Sequence, residues 1–108
     1  MIKMIRPFCN KIALHYGEEK QMSQMVEEAA ELTQSICKIS RKGPRDKKTR
    51  EHYIEELADV TIMAEQLYIL LNDSEKNKLR QIMRFKLNRQ NDRIIMEIRE
   101  RRYKNDNT

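Results

Sequence analysis

Three observations predict an all-α protein, an antiparallel helical bundle of about four helices. The chain of 108 residues holds only two glycines and two prolines. A sandwich or barrel, which needs a tight turn every ~8–12 residues, is nearly excluded on that count. Charged residues make up 36% and apolar residues 39%, and the apolar ones recur at helical spacing. That periodicity separates the chain from a disordered one, despite a mean hydropathy of −0.86. Turn-forming residues cluster at Gly17, at Lys42-Gly43-Pro44 and at Asn72-Asp73-Ser74, and these breaks divide the chain into four helical stretches. The length fits one domain over 1–108, with a short polar tail at about 103–108.

The first helix is predicted over 7–16, with Pro7 near its first turn and Gly17 as its stop. The second runs over 18–41. At about 100° per residue, Met22, Met25, Val26, Ala29, Leu32, Thr33, Ile36 and Ile39 share one broad face of it. The third runs over 49–71 and aligns Tyr53, Leu57, Val60, Ala64, Leu67, Tyr68 and Leu71. Each stripe needs cover, so the two helices should pair antiparallel across the 42–48 loop. Ser74 is the expected cap of the fourth helix, which reaches about Arg102. Helices of this length leave apolar stripe uncovered in so short a chain, which points to a homo-oligomer, a dimer or tetramer.

No stretch approaches the ~18 apolar residues of a membrane span, and the N-terminal segment lacks the pattern of a signal peptide. Cys9 and Cys37 form neither a CxxC pair nor a disulfide framework. Two reduced thiols in a cytoplasmic protein is the expectation. The net charge of +5 hides a strong alternation. Residues 41–50 carry six basic side chains against Asp46. Residues 51–75 carry seven acidic side chains and no Lys or Arg, and residues 76–108 carry eleven basic against four acidic. An acidic segment that is also rich in Leu, Ile, Met and Tyr is more than a solvated face.

Within the acidic segments, Glu28 and Glu31 stand one turn apart on the second helix, and Glu56 and Asp59 stand one turn apart on the third. Met63 and Leu70 share the strip of the second pair. Like charges at this spacing repel, and more so when desolvated. Two such pairs facing each other need a counter-ion. Carboxylate oxygens without Cys or His select a hard ion, Mg²⁺ with Mn²⁺ as substitute. Glu27 points further outward, and Gln24 and Gln21 lie on the same side as Glu28, one and two turns back. On the fourth helix Lys86, Arg89 and Arg93 form a single basic stripe suited to phosphate oxygens.

The order Glu27-Glu28-Ala29-Ala30-Glu31, 24 residues, Glu56-Leu57-Ala58-Asp59 reads as EExxE…ExxD. It resembles the MazG-like, all-α nucleoside triphosphate pyrophosphohydrolases, the superfamily that also holds dimeric dUTPases and phosphoribosyl-ATP pyrophosphatase. HYGEEKQ (15–21), EEAAELTQSICK (27–38) and EELADVTIMAEQL (55–67) extend the likeness to the small bacterial and phage members. The resemblance covers roughly residues 12–95. It implies a MazG-like bundle in which Glu28, Glu31, Glu56 and Asp59 hold Mg²⁺. It implies hydrolysis of a nucleoside triphosphate between the α- and β-phosphates, giving a monophosphate and pyrophosphate. Glu27 takes a lesser role in orienting the attacking water or an additional metal, and KxxRxxxR (86–93) matches the family's basic stretch. Gln21 is a candidate base-contacting amide. Some relatives stack the base on an aromatic residue and many carry an Asn in the basic stretch. This chain has no Trp and offers Gln90 and Asn91, so base preference stays open.

His52, one turn before Glu56, is read as a partly exposed structural histidine within reach of that carboxylate. A competing reading makes residues 76–104 a basic module for nucleic acid or another partner, without catalysis. The acidic segment and the scarcity of interleaved aromatics weigh against it. A purely structural relative and a phosphoribosyl-ATP hydrolase complete the alternatives.

Overall fold

A single glycine separates the first two helices. The computed structural model of the chain describes residues 2–107 and contains α1 (Ile2–Tyr16), α2 (Glu18–Lys42), α3 (Lys47–Ile69) and α4 (Asp73–Asp106), with no strand among the described residues. Gly17 adopts φ +83°; its N–H donates to the Ala13 carbonyl (2.9 Å) and its carbonyl accepts the Gln21 N–H (3.1 Å). One residue therefore closes α1 and opens α2, in a conformation that favours glycine. Gly43 closes α2, with φ +93° and its N–H on the Ile39 carbonyl at 2.8 Å.

The breaks fall where the turn residues predicted them, but the helix bounds differ: α1, α2 and α4 run beyond their predicted ends, and α3 starts two residues earlier and stops at Ile69 rather than Leu71. α1 begins at Ile2, so Pro7 lies inside it rather than in the first turn; the proline forfeits one backbone bond there and the helix continues through it. α3 begins at Lys47 because Asp46 caps it. The Asp46 carboxylate accepts the Thr49 N–H at 3.1 Å and also the Thr49 hydroxyl. Those bonds, the hydroxyl first, hold Asp46 below the usual carboxylate range. Asn72, not Ser74, caps α4: it accepts from the Glu75 N–H (2.8 Å) while the Glu75 carboxylate accepts from the Asn72 N–H (3.0 Å). α4 runs on through most of the segment expected to fray. Thr108, the last residue of that expected tail, lies outside the described residues.

The chain divides into two compact units, one from the N-terminus to Leu71 and one from Asn72 onward. In the first, α2 and α3 make the most extensive contact and α1 packs mainly on α3. Small residues of α1 give close approach: Ala13 is fully buried and Cys9 is 2% exposed. Together with Met63 they are the only buried hydrophobic side chains among the described residues. The other buried side chains are polar: Gln21, Ser35, Thr49, Glu56, Glu65 and Gln66. Glu65 receives the Arg6 Nε–H at 3.2 Å, which offsets its burial. Ser35 donates to the Leu32 carbonyl at 2.7 Å. Both cysteines are free, Cys9 buried and Cys37 exposed.

The inward line of α2 is therefore rotated from the apolar stripe read in the sequence. Gln21, Met25, Glu28, Leu32, Ser35 and Ile39 are buried or half-buried, whereas Met22, Val26, Thr33 and Ile36 are exposed. On α3, Leu57 and Ala64 of the predicted stripe are exposed as well. Packing on α1 and α3 needs only half of the broad apolar face, and polar residues take the other inward positions. The second unit is α4 itself, in which no described residue is buried.

Candidate metal centre

The ExxE spacing of α2 and the ExxD spacing of α3 each put two carboxyls on one helix face, and antiparallel pairing brings the faces together. Glu28, Glu31, Glu56 and Asp59 each offer one oxygen, and these oxygens lie within 4.8 Å of one another. Glu56 is buried and Glu28 half-buried, while Glu31 and Asp59 are exposed. The cluster is thus anchored at one side and open to solvent at the other.

The one basic side chain seen paired with the cluster among the described residues is that of His52, whose Nε2 lies 3.8 Å from Glu56 Oε1. Gln24 Nε2 donates to Glu28 Oε1 at 2.8 Å. The other oxygens of this buried side, Glu28 Oε2 and Glu56 Oε2, have no hydrogen-bond partner. Crowding shifts the titration of the exposed pair. Glu31 is raised, first by its hydrogen bond with the Glu56 carboxyl and then by the Glu56 charge. Asp59 is raised by desolvation first, then by the charge of Glu28. Four carboxyls with unpartnered buried oxygens and an all-oxygen donor set fit a hard divalent cation such as Mg²⁺ or Mn²⁺.

No protein-family model, curated protein or solved structure matches the chain.

Glu27 stands outside the four-carboxyl cluster. It lines an adjoining groove of about 540 Å³ with Tyr16, Gln21, Gln24, Met63 and Gln66. Gln21 is 4% exposed and Gln66 3% exposed, and the Oε1 atom of each lacks a hydrogen-bond partner. Gln21 thus lines a groove next to the cluster, on the side read from the sequence. Gln66 was missed there, although its spacing of seven from Asp59 sets it on the same strip of α3. Lys86, Arg89 and Arg93 lie on α4, all exposed, with the Arg89 guanidinium 5.8 Å from the centre of the Phe85 ring. His52, half-buried, lines a second concavity with Lys38, Arg41, Lys42, Lys48 and Thr49; of its basic residues, Arg41, Lys42 and Lys48 were read only as loop charge.

Proposed function

We propose that this protein is a Mg²⁺-dependent nucleoside triphosphate pyrophosphohydrolase of the MazG-like type. The observation that carries the proposal is the convergence of Glu28, Glu31, Glu56 and Asp59 from two helices on one volume, with their oxygens within 4.8 Å. Mg²⁺ bound by these four carboxyls supplies Lewis acidity toward phosphate oxygens and toward a water molecule.

The chain's own residues orient the reactants. Gln24 fixes the Glu28 carboxyl by its 2.8 Å hydrogen bond, and the buried setting of Glu56 holds that side chain still. Water attacks the α-phosphorus and gives up a proton to solvent, the bond to the α,β-bridging oxygen breaks, and pyrophosphate leaves with the monophosphate as the other product. Glu27, exposed beside the cluster, takes the part of orienting that water or an additional ion. Gln21, with an unpartnered amide oxygen in the groove, accepts a hydrogen bond from an N–H of the base.

A homo-oligomer belongs to the same proposal. Met4, Ile54, Leu57 and Ile62 are exposed, and all line an apolar groove between α1 and α3 of about 420 Å³. Incubation with a panel of NTPs and dNTPs tests the enzymatic reading. Pyrophosphate and monophosphate should appear in Mg²⁺ and not in EDTA, and orthophosphate release alone would refute the cleavage position.

A further inference from the structure

The two helices that build the carboxyl cluster carry an ordered change of chemistry along their seam. On α2 the sequence runs from Gln21 and Gln24 through Glu28 and Glu31 to Lys38, Arg41 and Lys42. On α3, which runs the opposite way, Gln66 and Met63 are followed back by Asp59 and Glu56, then His52, Thr49 and Lys48. Amides therefore flank one end of the cluster and cations the other. At the cationic end, Lys38, Arg41, Lys42, Lys48, Thr49 and His52 surround a concavity of about 490 Å³ with no carboxylate in its lining. Asp46, at the α2–α3 turn, feels the charges of Lys42 and Lys48, whereas among the described residues no salt bridge to an acidic side chain is formed by Lys38 or Arg41. Thr49 is buried and Lys38, Arg41, Lys42 and Lys48 are exposed, so the basin has a fixed floor and charged, adjustable walls. It abuts the cluster, because His52 lines the basin while its Nε2 lies 3.8 Å from Glu56 Oε1. Lys38 stands two turns beyond Glu31 on α2, about 10 Å along the axis.

Several cations lining one concave surface that holds no carboxylate, beside a candidate divalent-cation site, suit a compact polyanion. We propose that this basin binds an oligophosphate: the β,γ end of the substrate, and pyrophosphate once released. The assignment rests on the proposed pyrophosphohydrolase reading for the origin of that ligand, but the basin's affinity for the anion is a property of its own residues. It sets a direction for the bound nucleotide, with the base toward Gln21 and Gln66 and the phosphates toward the α2–α3 turn.

Calorimetric titration of the full chain with inorganic pyrophosphate, with Mg²⁺ and with EDTA, tests it. Lys38→Ala/Arg41→Ala and Lys48→Ala should each weaken pyrophosphate binding at least ~10-fold, in EDTA as well as in Mg²⁺. Stabilisation by Mn²⁺ alone should stay unchanged in both. The same substitutions should raise KM for triphosphates more than they lower kcat, and weaken a non-hydrolysable triphosphate analogue more than the monophosphate. All four side chains named as walls are exposed, so the variants should melt as the parent does. Pyrophosphate affinity that survives both variants overturns the basin, even if the protein hydrolyses NTPs. Binding that is lost in the variants supports it, even if no NTP is hydrolysed and the enzymatic reading fails. Duplex DNA bound more tightly than pyrophosphate through the same residues also overturns it.

Discussion

Glu56 is 7% exposed, and its Oε2 has no hydrogen-bond partner. It crowds Glu31, whose titration it raises, so Glu56→Gln should relieve that repulsion and stabilise the metal-free chain at neutral pH by about 1 kcal/mol. That corresponds to a rise in Tm of roughly 4–8 °C per kcal/mol, measured calorimetrically in EDTA. The same variant should lose the stabilisation that Mg²⁺ gives the parent. The pH dependence has a definite sign. Glu31 and Asp59 are both raised in the folded chain, so the folded state keeps their protons after the unfolded chain has released them. Their contribution is full below the ordinary carboxylate range and is lost as pH rises through the raised folded values. Metal-free protein should therefore lose stability over that interval, and stabilisation by Mg²⁺ should grow as pH rises. A stability profile without that decline, measured by thermal melts in EDTA, would contradict the crowding described here. The four carboxyls were legible in the sequence because their i, i+3 spacing repeats on two helices expected to pair. Gln66 was not, because a lone glutamine on a helix carries no signal until its neighbours across the interface are known.

Helix boundaries obey local chemistry that the sequence shows only in part. Gly17, Gly43 and the Asn72 turn stop or start helices where glycine and turn residues said they would. The cap residues were harder to choose, since Asp46, Asn72 and Ser74 all qualify by type and only backbone geometry selects among them. Gly17 and Gly43 have positive φ, and a Cβ at either would meet no atom within 4 Å. Gly43→Ala should thus cost about 1–2 kcal/mol in urea unfolding from backbone strain alone. Asp46→Ala should cost about 1 kcal/mol by removing the α3 cap. Asp46 is held below its ordinary value, so its contribution is present above the ordinary carboxylate range and fades as pH falls through the lower folded value. The inward faces were the least legible feature of the helices. Hydrophobicity favours Met22, Val26 and Ile36 for the interior of α2, yet those are exposed, while Gln21 and Ser35 are buried. A pattern read from apolar residues alone cannot foresee an interior that contains so many polar groups.

For the molecule as a whole, the fully buried core is too small for its exposed apolar surface. Cys9, Ala13 and Met63 are the buried hydrophobic side chains among the described residues, while Phe8, Leu14, Val26, Ile54 and Leu57 are each more than 40% exposed. Surface of this kind marks an interaction face. Sedimentation should accordingly give a mass at least twice the 13.1 kDa of the chain, and Ile54→Glu/Leu57→Glu should reduce it. A monomer at micromolar concentration would contradict the proposed homo-oligomer. Among the described residues, no helix is long and apolar enough to cross a membrane. The proposed enzyme stands on the four carboxyls, and the most direct measurement is the release of pyrophosphate from nucleoside triphosphates by parent, Glu56→Ala and Asp59→Ala proteins, with Mg²⁺ and with EDTA. Pyrophosphate release by the parent in Mg²⁺, reduced more than ~100-fold in both variants and in EDTA with the helical content unchanged, is the predicted result. Undiminished release in either variant or in EDTA, or no release from any nucleotide by the parent, would contradict it.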